Sequence, residues 1–197
     1  MSKGEITRQR IIEKAADLFN SHGFVGASMS QLMADTGLNK GGIYNHFKNK
    51  EEILTEAFSY SVSVVEEKII REIQTEKTAL GQLKGAVEFF RDYPENPVVK
   101  GGCPILNSIV YSDNSLPVFE SQVRQVVSRI IENFEAIINS AIQEKAVRED
   151  IDAKEEAALI FSMIEGGVAI SRNLGNSRYM DIVIDHVITH IDNHLAG

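Results

Sequence analysis

A chain of 197 residues with 43% apolar residues is long enough to bury a core, in one large helical domain or in one small and one medium domain. No apolar run reaches the length of a membrane span, and the N-terminal MSKGEITRQRIIEKAADLF lacks a signal-peptide core. A single cysteine, Cys103, excludes an internal disulfide framework, so the chain reads as cytoplasmic. Net charge is −8, but residues 1–50 carry seven Lys/Arg against four acids, +3 locally, and the other 147 residues carry 13 basic against 24 acidic groups, −11. Non-specific DNA affinity is largely counterion release, so the local sum is the one that counts.

Thr7 to His22 carries Ile11, Ile12, Ala15, Ala16, Leu18 and Phe19 at helical spacing, and Gly23 ends the helix. Phe24 and Val25 are expected to seal a three-helix core. Ser28–Thr36 follows, with Ser28 as N-cap, Gln31 completing a capping box, and Met29, Leu32 and Met33 facing inward. Gly37 is expected in the left-handed conformation that ends a helix, with Leu38 packed into the turn. Asn39 caps the next helix, which Lys40, Gly41 and Gly42 open and which runs to Phe47. Ile43 and Phe47 share one face, and Tyr44 and His46 project elsewhere. The two glycines weaken that helix by about 1 kcal/mol each relative to Ala. Either the missing side chains let the backbone approach a phosphate or base edge, or the helix start is frayed. Two short helices with a tight turn, the second with a basic and polar start, are how a protein presents a helix to the major groove.

Lys50 to about Thr75 reads as one long helix, with Ile53, Leu54, Ala57, Phe58, Val62, Val65, Ile69 and Ile73 in phase. Thr78 caps a helix through about Tyr93, and Pro94–Pro97 and Lys100-Gly101-Gly102 mark an irregular connection. Cys103 to Tyr111 is a short helix that stops near Ser112-Asp113-Asn114-Ser115. Pro117 opens a long helix to about Lys145, Asp152 caps one to about Asn173, and Ser177 caps the last, to about His194. The pattern predicts an all-α fold of about nine helices. Residues 1–49 are expected to form a three-helix helix-turn-helix DNA-binding domain, and residues 50–197 a separate helical body that carries the dimerisation candidates.

Over residues 8–54 the chain resembles the TetR family of transcriptional regulators. The residues that carry the resemblance are Ile11-Ile12, Ala15-Ala16, Leu18-Phe19, His22-Gly23-Phe24, Ala27-Ser28-Met29, the run Gly37 to Phe47, and Lys48-Asn49-Lys50-Glu51-Glu52-Ile53-Leu54. Ala27 stands where the family often has Thr, and Met33 where a smaller Ala is frequent. The resemblance implies a homodimer on double-stranded DNA with a pseudo-palindromic operator. Ser28 and Gln31 would touch phosphate or a groove edge. Asn39, Lys40, Gly41 and Tyr44 would form the reading surface, and His46 and Lys50 would bind backbone phosphates. It also implies a small-molecule effector site in the helical body.

Within that body Phe89, Tyr93, Cys103, Asn107, Tyr111, Phe134, Phe161 and Glu165 are the candidate ligand contacts. The large apolar side chains among them are also core candidates. Asn107 and Glu165 are polar within apolar helical runs and need partners when buried. Arg124 belongs to the same group of polar residues. Cys103 stands at a helix start, where a thiol is either a reactive sensor or an inert core residue. His186, His190 and His194 recur every four residues, as a metal face or as the rim of an interface. The last two helices are the dimerisation candidates, through the small residues Ala157, Ala158, Gly166, Gly167 and Ala169 and the apolar seam Val183, Val187 and Ile191.

The resulting expectation is a ligand-responsive dimeric repressor that is not an enzyme and needs no cofactor or metal. The long helix from Lys50 is the covalent lever between body and reading heads. One rival is an all-α enzyme, but no nucleophile–base pair is evident in the body. Another is a helical small-molecule-binding protein without operator binding, against which Lys40, Tyr44, His46 and Lys50 weigh.

Overall fold

The computed structural model describes residues 2–111 and 116–196, and the side chains of these residues other than Phe24 and Tyr111. The expected helix stop at Ser112–Ser115 and the roles expected of the Phe24 and Tyr111 side chains lie outside the described residues. The fold is all-α. The helices are α1 (Lys3–Gly26), α2 (Met29–Thr36), α3 (Lys40–Tyr44), α4 (Lys50–Ile73), α5 (Ala79–Glu88), α6 (Pro104–Tyr111), α7 (Pro117–Gln143), α8 (Ala153–Leu174) and α9 (Arg178–His190). A π-turn, Ile191–Leu195, continues α9, and an isolated antiparallel bridge joins Val147 to Ala196.

Local chemistry explains most boundaries. α1 starts earlier than its apolar pattern suggests, because Ser2 and Glu5 form a reciprocal capping box. Gly23, with φ 68° and ψ 173°, breaks α1 after His22 and leaves one further turn beyond it. Val25 on that turn is 92% exposed, so it does not seal the core as expected: the kink at Gly23 turns it outward. α5 ends at Glu88, short of Tyr93, and irregular turns carry Phe89 to Glu95. Thr78 and Asp152 cap α5 and α8 as their positions imply. Ser177 does not cap α9; the side chain of Asn176 accepts from Arg178 N instead.

The chain forms two compact units. The first holds residues 1–65 and 98–125, and the second residues 66–97 and 126–197. In the first, Ile11, Ala15, Leu32, Ile43, Phe47 and Ile53 are buried around the three-helix head. Phe58 of α4 meets Phe119 of α7 edge-on, with ring centroids 5.4 Å apart. The second unit centres on the packed pair α8 and α9, with Ile160, Ile164 and Val168 of α8 and Met180, Ile184 and Val187 of α9 all buried. Arg91 joins Glu88, Asp181 and Asp185 there, and these carboxylates, Glu88 first, hold the guanidinium above its ordinary pKa. Among the described residues no helix is long and apolar enough to cross a membrane.

Candidate functional site

α2 and α3 are built by side chains that satisfy backbone groups at their ends. Ser28 Oγ accepts from Gln31 N at 3.1 Å and starts α2. The expected capping box is only half made, because the Gln31 amide turns along the helix and donates to Asp35 Oδ1 at 2.9 Å. Inside α2 the buried residues are Leu32 and Thr36, one turn apart; Met29 and Met33 lie at the edge of that face, half-buried. Thr36 Oγ1 donates to Leu32 O at 2.7 Å, so its hydroxyl adds no unsatisfied group to the core. Gly37 takes φ 68° and ψ 18° and ends α2 in the left-handed conformation that suits glycine.

Asn39 Oδ1 then accepts from Gly42 N at 2.7 Å and starts α3. A side chain at position 42 would crowd this cap, since a Cβ would lie 3.3 Å from Asn39 Oδ1. Position 41 is open: its nearest neighbour would be Asn39 Oδ1 at an ordinary 3.6 Å, and Gly41 is exposed. α3 is shorter than its pattern, ending at Tyr44, and Phe47 is buried from the turn that follows. Ile43 anchors α3 in the core. Lys40 and Tyr44 share the outer side, with the Lys40 ammonium 5.9 Å from the Tyr44 ring centre. His46 sits beside the first turn of α1, where a Cβ on Gly4 would lie 4.0 Å from His46 Cε1.

Lys50 opens α4. Its Nζ donates to Ala27 O at 2.6 Å and lies 5.7 Å from the Phe19 ring centre. Partial burial lowers its pKa from the ordinary lysine value. Lys50 therefore ties the start of α4 to the α1–α2 connection. Arg8 does similar work nearer the start of α1: it pairs with Glu56 and its guanidinium lies 4.8 Å over the Phe47 ring. Neither role was visible from spacing along one helix, because each partner lies more than twenty residues away in the chain.

The candidate ligand contacts fall in both units. Cys103 and Asn107 belong to the first, as does Tyr111, and Phe89, Tyr93, Phe134, Phe161 and Glu165 to the second. Cys103 is buried, and its Sγ accepts from Leu106 N at 3.5 Å as the cap of α6. Asn107 Nδ2 donates to Asn20 O, Asn20 Oδ1 and Gly101 O at 2.9–3.0 Å. Phe89 and Tyr93 form an aromatic cluster with Phe90, with centroids 5.1–5.9 Å apart. Phe134, Phe161 and Glu165 are buried on α7 and α8. Arg124 is exposed and pairs with Glu120 one turn back, so it needs no internal partner. Two depressions lie in the first unit: a narrow cleft of about 30 Å³ lined by Phe19, Asn20, Phe58, Asn107 and Phe119, and an open groove of about 590 Å³ along Thr55, Ser59, Val118 and Gln122. Among the eight candidates Asn107 lines the cleft. On α9, His190 Nε2 meets Glu156 Oε2 at 2.8 Å and stacks on His194, and His186 is exposed. No group of three or more His, Cys, Asp or Glu among the described residues is placed to hold a metal ion.

A capped two-helix reader on a basic three-helix head, followed by a long helical body, defines a helix-turn-helix transcriptional regulator. Residues 11–57 match the family described as bacterial regulatory proteins, tetR family, and residues 79–187 match the tetracyclin repressor-like C-terminal domain. The chain belongs to the TetR family. It is similar over its whole length to a TetR transcriptional regulator from Chloroflexus aurantiacus, with 35% identity, 99% of that chain covered and a TM-score of 0.95. A TetR-family regulator from Cytophaga hutchinsonii is 30% identical over 98% of this chain and 96% of its own, with a TM-score of 0.89. The uncharacterized HTH-type transcriptional regulator YxaF of Bacillus subtilis is 26% identical over 171 residues, 86% of each chain.

Proposed function

We propose that the protein is a cytoplasmic, dimeric repressor that binds a pseudo-palindromic operator and is released by a small molecule. Residues 1–49 read DNA and residues 50–197 form the regulatory part, a division of labour that the two family matches support. This reading assigns the chain no catalytic role. The single observation that carries it is the outer side of α3: Asn39 spends its side chain on the cap, Ile43 is buried, and Lys40, Gly41 and Tyr44 remain to meet the groove. Ser28, Gln31 and Asn39 border that surface. His46 and Lys50 supply charge and donors at its edge, Lys50 also as the organiser of the α4 start.

Dimerisation runs through α8 and α9. Leu159, Ile170 and Leu174 on α8 and Tyr179 and Ile182 on α9 are large apolar side chains left exposed in the single chain, with Gly166 exposed among them. Such a patch on a soluble protein marks an interaction surface, and a face present on each copy suits an isologous pair. The effector candidates are Phe89, Tyr93, Phe134, Phe161 and Glu165 on the second unit and Cys103, Asn107 and Tyr111 on the first, where Asn107 lines the narrow cleft.

The test is operator binding by fluorescence anisotropy, with DNA selected from a random pool. Tyr44→Ala and Lys40→Ala are each expected to weaken binding by about 1–3 kcal/mol. Lys40→Ala should also reduce the slope of log affinity against log salt by about 1, the share of one phosphate contact. Unchanged affinity in both variants, or wild-type binding without salt dependence, overturns the reading.

A further inference from the structure

The side chain of Asn20, on α1, is 8% exposed and faces a segment eighty residues further along the chain. Its Nδ2 donates to Lys100 O at 2.9 Å and to Gly102 O at 2.8 Å. Asn107, on α6, answers from the other side, with Nδ2 within 3.0 Å of Asn20 O, Asn20 Oδ1 and Gly101 O. Between them Gly101, at φ +95°, lies directly on α1: a Cβ there would stand 2.6 Å from Asn20 O and 2.7 Å from Ser21 N. Backbone that close admits no side chain and no slack. All of these groups belong to the first unit, which contains the reading head.

Four hydrogen bonds and one backbone-to-backbone contact thus fasten residues 100–107, the start of α6 included, to α1, and a fifth bond, from Asn107 to Gly101 O, closes that segment on itself; α4 is the head's covalent attachment. An attachment at one helix leaves rotation about that helix; a second attachment removes it. We infer that Asn107 is a positioning residue for DNA reading, locking α6 to α1 through Asn20 and Gly101 so that Lys40 and Tyr44 are presented by one firmly joined unit, residues 1–65 and 98–125. The inference rests on the operator-reading dimer proposed above. It specifies a property that reading alone does not: how strictly the pair of heads holds its half-site spacing. Heads held rigidly engage two half-sites at one separation and lose the second when the separation is wrong. Heads released from the clamp must be ordered on binding, which lowers affinity for the right spacing and tolerance costs less at the wrong one.

The experiment compares the wild-type operator selected from a random DNA pool with the same operator carrying about five extra base pairs, half a turn, between its half-sites. Wild-type protein is expected to lose about a hundredfold in affinity on the insertion. Asn107→Asp, which sets a carboxylate against three oxygens, and Gly101→Ala are each expected to bind the native operator about tenfold more weakly and to lose less than about tenfold on the insertion. Thermal unfolding and light scattering establish that each variant is a folded dimer. If neither folds, Asn107→Ser, which keeps one donor, decides by the same ratio. A folded variant with the wild-type spacing ratio overturns the inference even where its overall affinity has dropped, since a merely structural role lowers the active fraction and leaves the ratio alone. Wild-type protein that selects no operator overturns both the reading and the clamp.

Discussion

At the scale of single residues, the two glycines of α3 separate into different causes. Gly42 is held by its own fold, because a methyl group there would stand 3.3 Å from the Asn39 cap oxygen, tighter than an ordinary contact. Gly41 is not: a methyl group would meet ordinary contact distance and otherwise open space. A glycine that the fold does not need, on a helix that it weakens, points to a demand from outside the chain. Gly41→Ala is therefore expected to stabilise the protein, by up to about 1 kcal/mol in urea denaturation. It should weaken operator binding by about 1–3 kcal/mol, the range of one lost contact. A Gly41→Ala protein that binds the selected operator as the wild type does removes the external demand and leaves a helix start that is merely weak. The reader's residues were legible because capping and turn chemistry are local: Ser28, Gly37 and Asn39 all act within three residues of themselves. Gln31 was misread for the same reason in reverse. Two partners lay within its reach, the Ser28 N–H for its carbonyl oxygen and the Asp35 carboxylate for its NH2 group, and periodicity does not choose between them.

At the scale of elements, the helices themselves followed from apolar spacing, and errors gathered at their ends. α1 gained a turn at its start from Ser2 and Glu5, and α5 lost its last turn, with Phe89, Phe90 and Tyr93 clustering with one another beyond it. Contacts between elements were the harder part. Asn20 reads as an ordinary polar position near the end of α1 until Gly101 and Asn107 are beside it, and no pattern within α1 reveals a partner eighty residues away. Gly167 is similar. It was read as a small residue for a dimer seam, yet it is buried inside one chain, under α9, where a Cβ would lie 2.8 Å from Met180 Sδ and 3.2 Å from Val183 Cβ. Gly167→Ala overpacks that joint and is expected to destabilise the protein by about 1–3 kcal/mol. Urea denaturation without a lowered midpoint would mean that Met180 and Val183 yield freely and that the glycine is not what sets the approach of α8 to α9.

At the scale of the whole molecule, surface and charge carry the functional division. The +3 of residues 1–50 and the −11 of the remainder oppose each other along one chain, which favours approach of the head to DNA and disfavours the body. The apolar residues of α8 and α9 divide in the same way between inside and outside. Ile184 and Val187 are buried within the chain, and Ile182, at 55% exposure, stands outside with Tyr179 and, on α8, Leu159, Ile170 and Leu174. The helical period alone shows both sets on one amphipathic element. Which set faces the neighbouring helix and which is left for a second copy depends on how α8 and α9 pack at the joint where Gly167 is buried. A charge placed in the outer set should then act on assembly without touching the core. Ile182→Glu is expected to leave thermal unfolding of the chain cooperative and to shift size exclusion with light scattering from dimer to monomer at micromolar concentration. Operator affinity should fall in step by about two to four orders of magnitude, because each head then binds its half-site alone. A variant that remains dimeric would place the interface elsewhere. One that becomes monomeric yet keeps full affinity would show that a single head suffices, and the pseudo-palindromic operator would lose its basis.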